Sequence, residues 1–374
     1  MTRFPSSLCL LATALQTATL FPADTTLGSL QAEIAALAAD FEGDVGAAVL
    51  HFETGLGAAT RGDEPFFLAS VYKLPIALAV LRRVDAGMIA LGDTVRLVPW
   101  DFRIGRSTLA PNEPDGGGAY TVARLLEAQV RDSDNTASDA LLRLAGGPRA
   151  VTDTLRALAL DGIRIDREEG ETLIEFYGIG DSFPEEERTP DRLAARVQAS
   201  APEVRAQAVA RFARHPQDAG SALAVADLLD RLWRGELLSP TSTELLLGHL
   251  RNGWIDTRIP AGLPPGTAVW HKTGSYGEAA THDAGIVELP DGTHLIVVVL
   301  TRQSRRDTEA AERTIAAIAR AAWDFWAPPP DGSTQGAGPP GGARISAGVG
   351  KSGGGSETVR PATSAPSKKS ATSD

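Results

Sequence analysis

Ser70, Val71, Tyr72 and Lys73 set a hydroxyl and an amine three positions apart at the head of an apolar run over residues 74–81. In a helix such positions share a face, so the Lys73 amine can approach the Ser70 hydroxyl. A serine hydroxyl becomes a useful nucleophile only when a neighbouring base takes its proton. A serine at a helix start also offers a free backbone N–H to a developing oxyanion. The chemistry indicated is acyl transfer through a serine ester. On its own the four-residue pattern carries little weight, because a chain of 374 residues contains it by chance. Pro75 removes a backbone donor close to the start of the run and predicts a kinked first turn.

Two further clusters fit the same chemistry. Ser133, Asp134 and Asn135 end one helical pattern and precede another. Ser, Asp and Asn all favour helix starts, so a capping cluster is the plainer reading. Next to an activated serine, the Ser133 hydroxyl would relay a proton to a leaving nitrogen, and Asn135 would orient Lys73 and a substrate amide. Lys272, Thr273 and Gly274 follow the apolar approach of Ala268, Val269 and Trp270, as in a strand lining a cleft. A surface strand running into a turn explains that triplet equally well by itself. As part of a site, Lys272 supplies positive field, Thr273 binds a carboxylate, Gly274 keeps the strand edge clear, and the Ser275 N–H becomes a second oxyanion donor.

A helix, a helix start and a strand must therefore meet. Residues 44–60 alternate apolar and polar around Thr54 and Gly55, which predicts two antiparallel strands and a turn. A second hairpin is predicted over residues 284–289 and 295–301, around Pro290, Asp291 and Gly292. Helical patterns cover residues 71–86, 122–130, 137–144, 222–233, 241–250 and 308–326. The expected fold class is α/β in the α+β sense. An antiparallel sheet of about five strands is built from both ends of the chain and flanked by helices, with an all-helical lobe inserted. The lobes are expected at about residues 70–222 and at 28–69 with 223–326, and the cleft between them is the default site.

Composition bounds the alternatives. A hydrophobic fraction of 43% and a charged fraction of 22% are ordinary for a globular protein. The formal net charge of −11 argues against a general nucleic-acid surface. Residues 1–23 read as a secretory signal peptide, and no other apolar run is long enough to span a bilayer. Cys9, the only cysteine, lies in that leader, which leaves the mature body neither disulfide nor thiol chemistry. Among six histidines only His282, beside Asp283, forms a local pair suggestive of a metal ligand, and no metal or cofactor is expected. Residues 327–374 are rich in Pro, Gly and Ser and read as a disordered tail.

The three clusters, in this order and on these elements, resemble the serine β-lactamase and penicillin-binding protein superfamily, and the class A β-lactamase family in particular. The resemblance extends from about residue 28 to 326. It implies a covalent acyl-enzyme on Ser70, a β-lactam or peptidoglycan-like acyl substrate, a periplasmic location, and a chain acting as a monomer. In that family an acidic loop residue activates the water that hydrolyses the ester. The matching phrase here is Asp166, Arg167, Glu168, Glu169, Gly170, Glu171, Thr172 and Leu173, which makes Glu169 the counterpart of that base. It departs from the family pattern at Thr172 and Leu173, which replace a Leu and an Asn, and Leu173 cannot hydrogen-bond a water.

The family loop closes on an Asp that pairs with its Arg. Asp218 is one candidate, and it implies an insertion of roughly thirty-five residues, longer than an ordinary connection. Arg188, Thr189 and Pro190 mark a nearer alternative, and residues 190–212 have the spacing of an extra helix. Trp100 or Phe102 could form an aromatic wall, and Arg251, Arg258 or Arg302 could bind the carboxylate, with a core or surface role the plainer reading for each. Three functions remain open on the sequence: a β-lactam hydrolase, a penicillin-binding peptidase, transpeptidase or esterase with slow deacylation, and a non-catalytic cell-wall or protein-binding module.

Overall fold

The computed structural model describes residues 26–179, 183–213, 217–251, 253–305 and 307–328. The expected leader, and the expected tail from residue 329 onward, lie outside the described residues. The strands are β1 (Asp44–His51), β2 (Leu56–Thr60), β3 (Phe66–Phe67), β4 (Thr94–Leu97), β5 (Gly118–Thr121), β6 (Ala219–Gly220), β7 (Val269–Ser275), β8 (Ala280–Glu288) and β9 (His294–Arg302). The helices are α1 (Leu27–Asp40), α2 (Lys73–Asp85), α3 (Val122–Val130), α4 (Asn135–Leu144), α5 (Pro148–Ala157), α6 (Glu169–Phe176), α7 (Pro190–Ala199), α8 (Pro202–Phe212), α9 (Ala222–Trp233), α10 (Pro240–Arg251) and α11 (Thr308–Trp326).

Five strands form one antiparallel sheet in the order β2-β1-β9-β8-β7. The central strand β9 shows why the chain folds into layers. Successive strand residues point to opposite faces. Ile296, Val298 and Leu300 join a core with apolar residues of α2, α3, α4, α5, α9 and α10. Leu295, Val297 and Val299 join a second core with α1 and α11. The β8–β9 hairpin turns at Gly292, whose φ of +80° a glycine adopts without strain.

Where the chain departs from the sequence expectations, the causes are local. Residues 69–72 form a 3-10 turn, and α2 begins only at Lys73. Pro75 thus falls in the first turn of α2, where its missing N–H leaves no bond unmade. The acidic stretch that reads as a loop is instead the helix α6. Its first turn has a capping box between Glu168 and Glu171, and the Asp139 carboxylate accepts the N–H groups of Glu169 at 2.6 Å and Gly170 at 3.0 Å. The single extra helix read over residues 190–212 is two helices, α7 and α8, each opened by a proline at its first position.

Candidate active site

The nucleophile candidate sits on a strained turn held from both sides. Ala69, just before Ser70, has a φ of +45°, a conformation uncommon for a residue with a Cβ. Phe67 O pairs with the His282 imidazole at 2.7 Å, and Leu68 N–H donates to Asp218 O at 2.9 Å. The backbone bonds of the turn run from Val71 N–H to Leu68 O and from Lys73 N–H to Ser70 O, so none uses the Ser70 N–H. On the opposite side Gly274 of β7 comes so close that a Cβ there would stand 3.0 Å from Ser70 N, from Leu68 O and from Ala69 Cβ. Ser275 follows at the end of the strand, which places two successive backbone segments beside Ser70, as an oxyanion hole requires.

Asp134 caps α4 by accepting Ala137 N–H at 2.7 Å, so the capping reading of the second cluster holds. It coexists with a functional arrangement. The Lys73 amine, fully buried, donates to Ser133 O at 2.6 Å and Asn135 Oδ1 at 2.9 Å and approaches Ser133 Oγ at 3.4 Å. The Lys272 amine reaches the same Ser133 Oγ at 2.9 Å. Ser133 therefore bridges the two lysines, in a left-handed backbone conformation with φ of +59°. Burial pulls the Lys73 amine below the ordinary lysine range against the opposing charge of Glu169. Burial, and then the positive charge of Lys73, pull Lys272 well below it. Among the described residues Ser70 Oγ makes no hydrogen bond to either amine, and Ser70 faces a cleft of about 290 Å³.

Glu169 lies on the opposite wall of that cleft, 2% exposed, with its backbone held by Asp139. Asp139, on α4, in turn pairs with Arg103 at 2.6 Å, so the carboxylate that holds the start of α6 is itself fixed by a buried ion pair. The Tyr276 hydroxyl donates to Glu169 Oε1. Leu173, one turn along α6, also lines the cleft and presents no polar atom to it. The segment leading into α6 closes on Asp218, not near Arg188. Arg167 Nε donates to Asp218 Oδ2 at 2.7 Å, and Asp218 Oδ1 accepts the N–H groups of Asp166 and Arg167 at 2.8 and 3.1 Å. The enclosed chain carries α6, α7 and α8.

Of the three candidate arginines, Arg258 adjoins the site. It donates to Gly274 O at 3.0 Å, His282 O at 2.7 Å and Ser275 Oγ at 2.6 Å. Arg251 lies over the Trp270 ring, and Arg302 pairs with Asp44 and Glu64. Thr273 and Ser275 line the cleft, whereas Lys272 is buried behind them. Phe102 is buried in the helical core and Trp100 is not among the cleft-lining residues, so neither supplies the expected aromatic wall. That wall comes from Phe176, Tyr177, Trp254 and Tyr276, with Arg106 stacked 3.7 Å over the exposed Trp254 ring. No motif marks these residues. His282 uses one ring nitrogen on Phe67 O and the other to accept Thr301 N–H at 3.0 Å, while Asp283 pairs with His271. Neither member of the pair is free to hold a metal, and no cluster of three metal-ligating side chains occurs among the described residues.

The model of the β-lactamase enzyme family matches residues 29–326. The chain is 31% identical over 309 residues to the carbapenem-hydrolyzing β-lactamase KPC of Klebsiella oxytoca, covering 80% of this chain and 89% of that one. It is 29% identical over 270 residues to the extended-spectrum β-lactamase PER-1 of Pseudomonas aeruginosa, covering 70% and 76%. Among solved structures, an ancestral class A β-lactamase superposes with a TM-score of 0.64 at 31% identity, covering 79% of this chain and 100% of that one. The extended-spectrum β-lactamase TLA-1 superposes with a TM-score of 0.66 at 27% identity, covering 80% and 99%. With its serine, paired lysines and buried glutamate on this fold, the chain belongs to the β-lactamase enzyme family.

Proposed function

We propose that the protein hydrolyses β-lactam amides through an ester on Ser70. The observation that carries this reading is the Ser133 hydroxyl bridging Lys73 and Lys272 beside an open Ser70, with a buried carboxylate across the cleft. Burial favours the neutral form of the Lys73 amine, which can then take the Ser70 proton as Ser70 Oγ attacks the lactam carbonyl. The lactam C–N bond breaks, and the proton passes through Ser133 to the leaving nitrogen. The oxyanion is received between the Ser70 N–H and the end of β7 at Ser275. Thr273 and Ser275 form the polar end of the cleft, which suits the substrate carboxylate, and Arg258, buried behind them and paired with Glu312 at 3.1 Å, braces that end through Ser275 Oγ. Asn135 holds Lys73 and is placed to meet a substrate amide.

In the second half, Glu169 takes a proton from a water that attacks the ester carbonyl, and the acyl group leaves as Ser70 regains its proton. No cofactor or metal enters either step. A reading with slow deacylation, as in a penicillin-binding peptidase or esterase, is favoured by the apolar Leu173 beside Glu169. Export to the periplasm and a monomeric chain accompany the proposal. Among the described residues no helix is long and apolar enough to cross a membrane.

Intact-mass spectrometry with benzylpenicillin followed over time tests the scheme. Wild type shows a transient adduct, Ser70→Ala none, and Glu169→Gln an adduct that persists. Equal adduct lifetimes in wild type and Glu169→Gln remove Glu169 from the mechanism. An adduct that persists in wild type favours the slow-deacylation reading.

A further inference from the structure

Glu169 is held at both ends, and only one of its anchors belongs to its own side of the cleft. Asp139 fixes its backbone N–H from α4. Its carboxylate is fixed from across the cleft by the hydroxyl of Tyr276, which follows β7 directly after Ser275. That hydroxyl belongs to a ring with almost no freedom. The Tyr276 ring lies 5.3 Å from Phe67, 4.9 Å from Phe176 and 5.2 Å from Phe212, the last stacked at 29°. Phe67 precedes the nucleophile turn, Phe176 ends α6, and Phe212 ends α8. The ring is thus clamped by one residue from each segment whose relative placement decides whether Glu169 faces Ser70. Leu173 packs in the same apolar cluster and has no atom that could orient a water or a carboxylate.

We propose that Tyr276 is the positioning residue for Glu169: its hydroxyl holds Oε1 so that Oε2 meets the hydrolytic water, and α8, through Phe212, fixes the ring. The proposal rests on Glu169 being the deacylating base. The proton of the attacking water goes to Oε2, the Tyr276 O–H bond stays intact, and no other reactant is required. Tyr276 makes the acid–base group precise without touching the reacting atoms, so its loss falls on deacylation and spares acylation.

The test compares wild type, Glu169→Gln and Tyr276→Phe of the full chain, with benzylpenicillin in intact-mass time courses and a chromogenic cephalosporin in steady-state assays. Phenylalanine keeps the ring packing and removes one oxygen. A hydrogen bond to a charged group corresponds to roughly 10-fold to 100-fold in the deacylation rate. Tyr276→Phe should lower kcat and KM together by that factor, leave kcat/KM near wild type, and accumulate the acyl adduct. A wild-type adduct lifetime in Tyr276→Phe overturns the proposal. So does an equal loss in kcat and kcat/KM with no acyl adduct accumulated, which is the signature of a merely structural residue. If Tyr276→Phe fails to acylate, Phe212→Leu decides: it keeps the hydroxyl but loosens the ring, and unchanged deacylation there overturns the proposal. Failure of the underlying reading is distinct, because Glu169→Gln would then deacylate like wild type.

Discussion

Gly274→Ala tests the assembly of the oxyanion site with a single methyl group. The added Cβ would stand 3.0 Å from Ser70 N, Leu68 O and Ala69 Cβ. Two of these are backbone atoms and the third is fixed by a turn with positive φ, so no side chain can swing aside. Carbon atoms in comfortable contact lie about 3.5–4.0 Å apart, so β7 and the Ser70 turn must separate by roughly half an ångström. A donor placed for a bond of about 2.9 Å then stands near 3.4 Å, where a hydrogen bond has lost most of its strength. Loss of one oxyanion donor costs about 10²-fold to 10³-fold in rate. The expected result is an acylation rate down by about 10²-fold. Gly274 is buried against the Ser70 turn, so the overpacking should also lower the melting temperature, by the equivalent of about 1–3 kcal/mol, and acylation is read at a temperature where the variant is folded. The assay is the rate of adduct formation with benzylpenicillin under single-turnover conditions. Acylation within a factor of about two of wild type would refute the placement of the oxyanion site between Ser70 and β7.

Two further outcomes follow from buried charge. Asp218→Ala leaves the Arg167 guanidinium, 9% exposed in its side chain, without the carboxylate it meets at 2.7 Å, so the urea midpoint should fall by the equivalent of about 3 kcal/mol. A midpoint matching wild type would mean that the segment carrying α6 does not depend on this pair. His282 is pushed down to about 4 from an ordinary 6.5 by burial, which outweighs the opposing pull of its bond to Phe67 O. The unfolded chain takes up the proton first, so the stability owed to neutral His282 is complete above the ordinary value and is lost as pH falls from there to the folded value. The loss amounts to about 3 kcal/mol at the acid end. Denaturation midpoints of wild type and His282→Gln, measured from neutral pH to about pH 4, should converge across that window, and parallel curves exclude His282 as the acid-sensitive group.

The residues legible in the sequence are those whose chemistry is written in consecutive positions. Ser70 and Lys73, Ser133 to Asn135, and Lys272 to Ser275 each fall within four consecutive positions, and a spacing of three, a helix start or a strand end suffices to group them. The sheet was legible for a related reason, since the unbroken apolar run along β9 belongs to a strand buried on both faces. Helix α6 was not, because its acidic composition matches a solvated loop. What makes it helical is Asp139, from α4, accepting its first N–H groups. The aromatic wall was hidden in the same way. Trp100 and Phe102 sit in an aromatic-bearing segment after β4, yet Phe102 turns into the core, and the rings that reach the cleft come from α6, from beyond α10 and from the end of β7. Only the fold brings these segments together.

The two lysines show how the cores act on the chemistry. Each amine is buried, and burial alone favours the neutral form of both. They are not equivalent, because their carboxylate neighbours differ. Glu169 opposes the shift at Lys73, whereas Lys272 has the charge of Lys73 added to its burial and Asp283 as its counterweight. A substrate carboxylate seated at Thr273 and Ser275 adds negative charge at the end of β7, where Lys272 also lies and already donates to Thr273 O at 2.8 Å. That charge favours the protonated form of Lys272, and a charged Lys272 in turn disfavours a charged Lys73. In the proposed mechanism binding would sort two similar amines into a cation and a base, with Ser133 between them as the shared hydroxyl. In that mechanism the group recognised beside one lysine would prepare the other to receive the Ser70 proton.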